Sequence, residues 1–373
     1  MTDLYLADQS AFTDFCAGLR GAGWLALDTE FIRERTYYPQ LCLIQIAGPD
    51  DRIACIDPLA LPSLDPLLDL LYDPAMTKIL HAAHQDLEIF FHLRGAVPAP
   101  IFDTQLAALA LGQGQQIGYA ALVQQTLGVE LAKTHTRADW QRRPLVPEWL
   151  VYAADDVRHL PELYRRQQAA LAERGWLAAL AEDFAALADP DRYRPQPVET
   201  WRRVRDHQRL RGVHLAVLRA LAAWREEQAI AHDRPRRWIV DDLALIELAR
   251  RLPRVLDDLQ RIPGLAPATR QRHGETLLAR IAAARLEPPE DWPILPRRTP
   301  LTPGQAAQID DLLALIADQA NQFGISPEAL AGRQDAARWL AGEDSPLRHG
   351  WRAAVIGREL QQRVAEGVDR LGR

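Results

Sequence analysis

Short aliphatic runs of strand length recur through the first half of the chain, separated by turn formers such as "GPDD". "WLALD", "QLCLIQIA", "RIACID" and "TKILHAA" are rich in aliphatic residues and end where polar residues begin. Helical periodicity follows at 64–72, 85–93, 103–111, 118–127 and from about 147 onward. Strands first and helices later predict an α/β domain with a mixed sheet, spanning residues 1–190. Pro161 lacks a backbone donor and is expected to kink or restart the last helix. The stretch "ADPDRYRPQPVET" (188–200) breaks the pattern and reads as a linker. Beyond it strand signals nearly vanish: residues 205–285 carry four or five amphipathic helices, among them "LAVLRALAAWREEQAIA" and "DDLALIELARRL". A second proline-rich seam, "LEPPEDWPILPRRTPLTP" (286–303), precedes another helical unit. The expected domains are 1–190, then two all-α units at 205–288 and 300–373. Trp224 in "LAAWREE" and Trp339 in "AARWLAG" give the two helical units a weak likeness to a divergent repeat.

Composition narrows the class. With 373 residues, 48% hydrophobic and 25% charged, the chain is expected to fold as two or three water-exposed domains. No apolar run approaches a membrane span, and the start "MTDLYLADQS" has neither a basic nor an apolar leader region. Cys16, Cys42 and Cys55 fit no zinc or redox spacing, so reduced, buried thiols and a cytoplasmic location are expected. The net charge of −6 hides an uneven distribution. Residues 1–200 carry 16 basic and 27 acidic residues, whereas 201–300 carry 20 basic and 13 acidic. An acidic region that takes metals and a basic one that takes phosphate account for that split. A solvated, arginine-rich helix surface accounts for it equally well.

Three short acidic clusters carry the candidate chemistry: Asp28 and Glu30 in "WLALDTEF", Asp86 in "HAAHQDLEIF", and Asp156 in "YAADD" with Tyr152 one helical turn before it. Carboxylates at the ends of apolar strands are costly unless a cation lies between them. An oxygen-only set suits Mg²⁺, and two such ions are an apparatus for cutting a phosphodiester. Asp28 and Glu30, two apart on a strand, project to one side. Each cluster also has an ordinary reading: a solvated strand end, a helix N-terminal charge, a buried tyrosine beside an exposed acid. Asp155 points elsewhere on its helix, and His81 and His84 are expected to be structural. A tyrosine is a weak base at neutral pH, so its plausible work is to orient a water. The ordered set of three clusters favours a metal-dependent nuclease.

With these residues in hand, the chain resembles the ribonuclease D family, within the tyrosine-bearing branch of the DEDD exonuclease superfamily. "LALDTEFIRERTYYPQLCLIQIA", "HAAHQDLEIF" and "YAADDVRHLPELY" are similar to its three exonuclease motifs, and "KTHTRADWQRRPL" narrows the match. "RPRRWIVDDLALIELARRLP" resembles a helicase-and-RNase-D C-terminal (HRDC) domain, and the last helical unit is HRDC-like by position and size. The resemblance implies a ribonuclease H-like fold with a mixed sheet, followed by two all-α HRDC-like domains. It implies two divalent metal ions, Mg²⁺ or Mn²⁺, on Asp28, Glu30, Asp86 and Asp156, with Tyr152 as the catalytic tyrosine. The implied activity is 3′–5′ exoribonucleolytic release of nucleoside 5′-monophosphates from RNA, tRNA precursors included. Asp103 is similar to a family aspartate and is expected to support the site. Phe31 either stacks on the terminal base or packs in the core. Lys133, Arg137, Arg142 and Arg143 are the expected phosphate contacts, and neither a membrane nor an obligate protein partner is expected. A DNA 3′–5′ exonuclease and a non-catalytic RNA-binding scaffold are the competing readings. The first is disfavoured by "KTHTRADW", the second by the presence of all four acids.

Overall fold

A computed structural model describes residues 3–50, 52–131, 138–295 and 301–371. They group into two units. Unit 1 takes in the chain up to Phe31, Leu41–Tyr193 and the described residues from 301 on; unit 2 takes in Ile32–Gln40 and the described residues from Arg194.

Unit 1 is built on a six-stranded sheet. Its strands are β1 (Leu4–Leu6), β2 (Trp24–Ile32), β3 (Gln40–Ala47), β4 (Ile53–Ile56), β5 (Thr77–Leu80) and β6 (Ile101–Asp103). Their order is β1-β4-β3-β2-β5-β6. β3 and β4 run antiparallel, while β1–β4, β2–β5 and β5–β6 pair in parallel, so the sheet is mixed as expected. β1 and β6 hold three residues each, too few for an alternating pattern to show in sequence. Helix α1 (Gln9–Gly18) lies between β1 and β2, α2 (Asp65–Leu71) between β4 and β5 and α3 (His84–Arg94) between β5 and β6, so the first helices alternate with strands; α4 (Thr104–Ala110), α5 (Tyr119–Leu127), α6 (Pro147–Arg158), α7 (Leu160–Glu173) and α8 (Ala181–Leu187) follow the last strand. Pro161 falls in the first turn of α7, where its missing N–H has no intrahelical partner to lose. Phe12 and Phe15 of α1 close over Leu25 and Leu27 of β2, Ile44 and Ile46 of β3 and Phe90 of α3. Lys78 of β5 is fully buried, and its ammonium donates to the carbonyls of Asp73 (3.1 Å), Met76 (2.5 Å) and Ala99 (2.5 Å). The three cysteines are buried and free, in line with the expectation from their spacing.

Unit 2 holds α9 (Val213–Ala231), α10 (Arg236–Ile239), α11 (Asp242–Arg251) and α12 (Pro267–Arg285) around Trp201, Leu218, Leu221, Trp224, Leu245, Leu248, Leu277 and Ile281. The excursion Ile32–Gln40 is part of this unit. Tyr37 is buried in its core, and its hydroxyl donates to Glu226 of α9 at 2.5 Å. The backbone N–H groups of Tyr37 and Tyr38 both donate to Asp233 at 3.0 Å.

The last helices, α13 (Pro303–Phe323), α14 (Pro327–Leu330), α15 (Arg333–Leu340) and α16 (Gly350–Leu371), group with unit 1. Their attachment is specific. The Trp351 indole N–H donates to Asp183 at 2.7 Å, Arg352 pairs with the same carboxylate at 2.8 Å, and Arg174 donates to the Gly324 carbonyl at 2.8 Å. Trp176 lies edge-on to both Phe323 and Trp351. The linear parse into three successive domains thus meets an interleaved arrangement, because apolar and ionic complementarity, and not chain order, decides which helices share a core. No helix among the described residues is long and apolar enough to cross a membrane.

Candidate active site

β2 runs down the middle of the sheet, and strand alternation sends Leu25 and Leu27 to one face and Ala26, Asp28 and Glu30 to the other. Asp86 enters from the first turn of α3 and is buried. Its carboxylate accepts from the Thr29 hydroxyl at 2.5 Å, which ties α3 to β2 between the two acids of the strand. The turn before α3 is fixed by Asp103, which ends β6. That carboxylate accepts from the backbone N–H of Ala82 (3.1 Å) and Ala83 (2.9 Å) and from Gln105 (2.8 Å), capping α4 at the same time. Asp103 thus holds the turn that leads into α3, in which Ala82 adopts a left-handed conformation at φ 57°.

Tyr152 and Asp156 lie one turn apart on α6 and share a face. Trp140 stacks on the Tyr152 ring at 6.4 Å and braces it from the loop preceding the helix. Burial and the negative charges of Asp86, Asp156 and Glu30 push the Asp28 carboxyl well above its ordinary range. Burial, Asp156 and Asp86 push Glu30 up to about 8. Burial and then the neighbouring Asp155 charge push Asp156 up to about 7. Burial takes Asp86 up to about 6, against the downward pull of the Thr29 hydrogen bond. Burial, then Asp156, Glu30 and Asp28, raise the Tyr152 hydroxyl, so it stays protonated at neutral pH and can donate but not act as a base. Asp28 and Glu30 of β2 thus both feel the charges of Asp86 on α3 and Asp156 on α6.

The donor set is all oxygen, as hard divalent cations require. Among the described residues no three His, Cys, Asp or Glu side chains form a ready-made metal cage. A hard cation such as Mg²⁺ takes one or two carboxylates and fills its remaining positions with water and substrate phosphate.

The other expected residues divide. Both His81 ring nitrogens are engaged, with Thr104 at 2.9 Å and the Ile117 carbonyl at 3.0 Å, so His81 is structural. His84 stacks on Tyr193. Asp155 pairs with Arg158 at 2.7 Å, away from the Tyr152 face. Phe31 is half-buried at the end of β2. Arg142 is exposed and available to a phosphate. Lys133 and Arg137 lie outside the described residues. Arg143 requires a correction. All five of its N–H donors are used: Nε and Nη2 grip Asp57 at 2.6 and 2.7 Å, Nη2 also reaches the Cys42 carbonyl, and Nη1 takes the carbonyls of Trp140 and Arg142. With no donor left, Arg143 bolts the 140–143 loop to the sheet and is not a phosphate contact.

Two residues escaped sequence reasoning. Thr29 sits inside the D-x-E pair, and strict alternation assigns it to the opposite face; its hydroxyl nonetheless reaches Asp86 at the strand end. Tyr119 of α5 donates to the Asp155 carbonyl at 3.0 Å and accepts from the His159 N–H at 3.2 Å, holding the end of α6 that carries Asp156. Nothing in "IGYAAL" announces that role.

Residues 5–171 match a family described as "3'-5' exonuclease", and residues 214–281 match "HRDC domain". The ribonuclease D of Granulibacter bethesdensis is 41% identical over 351 residues, covering 92% of this chain and 88% of that protein. The ribonuclease D of Pseudomonas paraeruginosa is 41% identical over 366 residues, covering 95% and 96%. The crystal structure of Escherichia coli RNase D, described as an exoribonuclease involved in structured RNA processing, superposes with a TM-score of 0.84 at 32% identity, covering 98% of this chain and 99% of that one. At that identity over nearly the whole of both chains, and with the same fold, the chain belongs to the ribonuclease D family of 3′–5′ exoribonucleases.

Proposed function

We propose that Asp28, Glu30, Asp86 and Asp156 hold two divalent cations, Mg²⁺ or Mn²⁺, and that Tyr152 positions the water that attacks the terminal phosphodiester of RNA. The observation that carries this reading is that the charges of Asp86 on α3 and Asp156 on α6 both reach Asp28 and Glu30 on β2, raising their carboxyl groups beyond what burial alone does. Cations bound there supply Lewis-acid activation of water and stabilise charge on the scissile phosphate. The protein's own part is orientation. Tyr152, kept protonated, donates to the water and leaves its lone pair facing phosphorus; a new O–P bond forms as the P–O3′ bond breaks, the proton lost by the water ends on the departing O3′, and a nucleoside 5′-monophosphate is released. Trp140 behind the ring and Thr29 on Asp86 keep those groups in register. The natural substrates in this reading are RNA 3′ ends, tRNA precursors among them, trimmed in the cytoplasm. The helices at 205–288 form an HRDC domain that grips RNA, and those at 300–373 form a second, HRDC-like one that completes unit 1.

The test is digestion of one RNA labelled separately at its 3′ and 5′ ends, with Mg²⁺, Mn²⁺ or a chelator. A 3′ label released at once as mononucleotide, a 5′ label descending a ladder, and loss of both with chelator or Asp156→Asn are the expected results. Internal cleavage, or undiminished activity in Asp156→Asn, would overturn the assignment.

A further inference from the structure

Unit 2 contains a pocket of ≈ 530 Å³ that the exonuclease reading does not use. Its lining includes five arginines, Arg33, Arg203, Arg225, Arg236 and Arg237, against the two carboxylates of Glu34 and Asp242. An excess of positive charge in a concave site concentrates anions there. Two of the arginines are held rigidly. Arg236 is clamped by Glu226 and lies over the Tyr37 ring, 4.8 Å from its centroid. Arg225 of α9 is 96% buried and donates from Nη1 to the Val240 carbonyl (3.0 Å) and to Asp242 (2.7 Å). The Arg225 Nε is buried and has no hydrogen-bond partner. A buried cationic donor without an acceptor is costly, and a bound water or anion is one way such a group is satisfied. At the edge stands Trp238, 55% exposed in a unit where Trp201 and Trp224 are core residues and Trp292 is half-buried with its indole N–H on the Glu287 carbonyl. An exposed indole beside fixed guanidinium groups is the combination that holds single-stranded nucleic acid, with the backbone on the charges and a base on the ring.

We propose that this pocket is a second RNA-binding site, in which Arg225, Arg203 and Arg237 take backbone phosphate and Trp238 stacks a base. It deepens the exoribonuclease reading by giving unit 2 a defined grip on the strand. Arg33, three residues beyond Glu30 in sequence, contributes to the same lining, so the first exonuclease motif and the grip share one stretch of chain.

The experiment compares the full-length parent with Arg203→Ala/Arg237→Ala and with Trp238→Ala, all at exposed positions, each checked for an unchanged melting temperature. The probes are a fluorescent 20-nucleotide single-stranded RNA with phosphorothioate 3′ linkages, titrated at several salt concentrations, and inorganic pyrophosphate. The double variant is expected to bind the RNA at least about tenfold more weakly, with the logarithmic salt slope flatter by about 1.4 for two lost phosphate contacts. Trp238→Ala is expected to weaken binding about fivefold or more with the slope unchanged. Hydrolysis of a two-nucleotide RNA should proceed at the parental rate in both. Parental affinity and slope in the double variant would overturn the proposal. Variant-sensitive binding of pyrophosphate without any change for RNA would also overturn it, by making the pocket a site for free polyphosphate. A parent that fails to hydrolyse even the dinucleotide would strike the exonuclease reading instead and leave the binding titration to decide the pocket.

Discussion

Single side chains decide the chemistry of the candidate site, and two consequences can be measured there. Tyr152→Phe removes only a hydroxyl, while Trp140 continues to brace the ring. The expected result is a fall in kcat of about 10²–10⁴-fold with KM little changed, read from steady-state hydrolysis of a short RNA. An unaltered kcat would reduce the tyrosine to packing. The acids make a second prediction. Groups whose carboxyl pKa is raised by folding stabilise the protein below the ordinary carboxylate range, and that contribution is lost as pH climbs through the raised values. With Asp86 at about 6, Asp156 at about 7 and Glu30 at about 8, the window runs from roughly pH 5 to 8. Chelator-treated protein should therefore melt at progressively lower temperature across that window, and millimolar Mg²⁺ should flatten the slope. A melting temperature indifferent to pH without metal would refute the crowding of these acids.

At the level of elements, the Arg143–Asp57 clamp joins the 140–143 loop to the strand end at β4. Burial pushes the Asp57 carboxyl up, yet the Arg143 and Tyr5 hydrogen bonds outweigh it and hold the group below its usual value. Arg143→Ala leaves a carboxylate that is 0% exposed without its cation. It should destabilise unit 1 by about 3–5 kcal/mol at neutral pH in denaturant titrations. Because the Asp57 carboxyl is held below its usual value, the charge-dependent part of that difference should shrink as pH falls from the ordinary carboxylate range through the lowered pKa, leaving the part carried by the Cys42, Trp140 and Arg142 carbonyls. Arg143 also marks how far the sequence could be read. The D-x-E pair, Asp86 and the Tyr152/Asp156 turn were legible, because each is a local pattern whose geometry follows from strand or helix period. Whether an arginine meets a phosphate or a carboxylate 86 residues away depends on loop paths that no local pattern encodes. Thr29 and Tyr119 were missed for the same reason, since their partners come from other elements. β1 and β6 were missed because three residues cannot display a period.

For the whole molecule, the two units are stitched from alternating pieces of chain: 32–40 joins the helical unit, while the described residues from 301 on join the sheet-bearing one. A fragment ending near residue 195 looks from sequence like a complete nuclease. It lacks the partners of Trp176, Asp183 and Arg174, and it leaves Tyr37 without the core that buries it. Such a fragment should be poorly soluble and melt well below the intact chain; a soluble, cooperatively folded and active fragment would contradict the interleaved packing. Time gives the stitching a further meaning. A ribosome releases the chain from its first residue onward at about 5–20 residues per second, and segments fold as they emerge. The acids arrive by Asp156, whereas Trp351 and Arg352, which fasten onto α8, are made much later. The cutting machinery is therefore left without its fastening helices until those residues emerge, and a copy terminated before them never receives them.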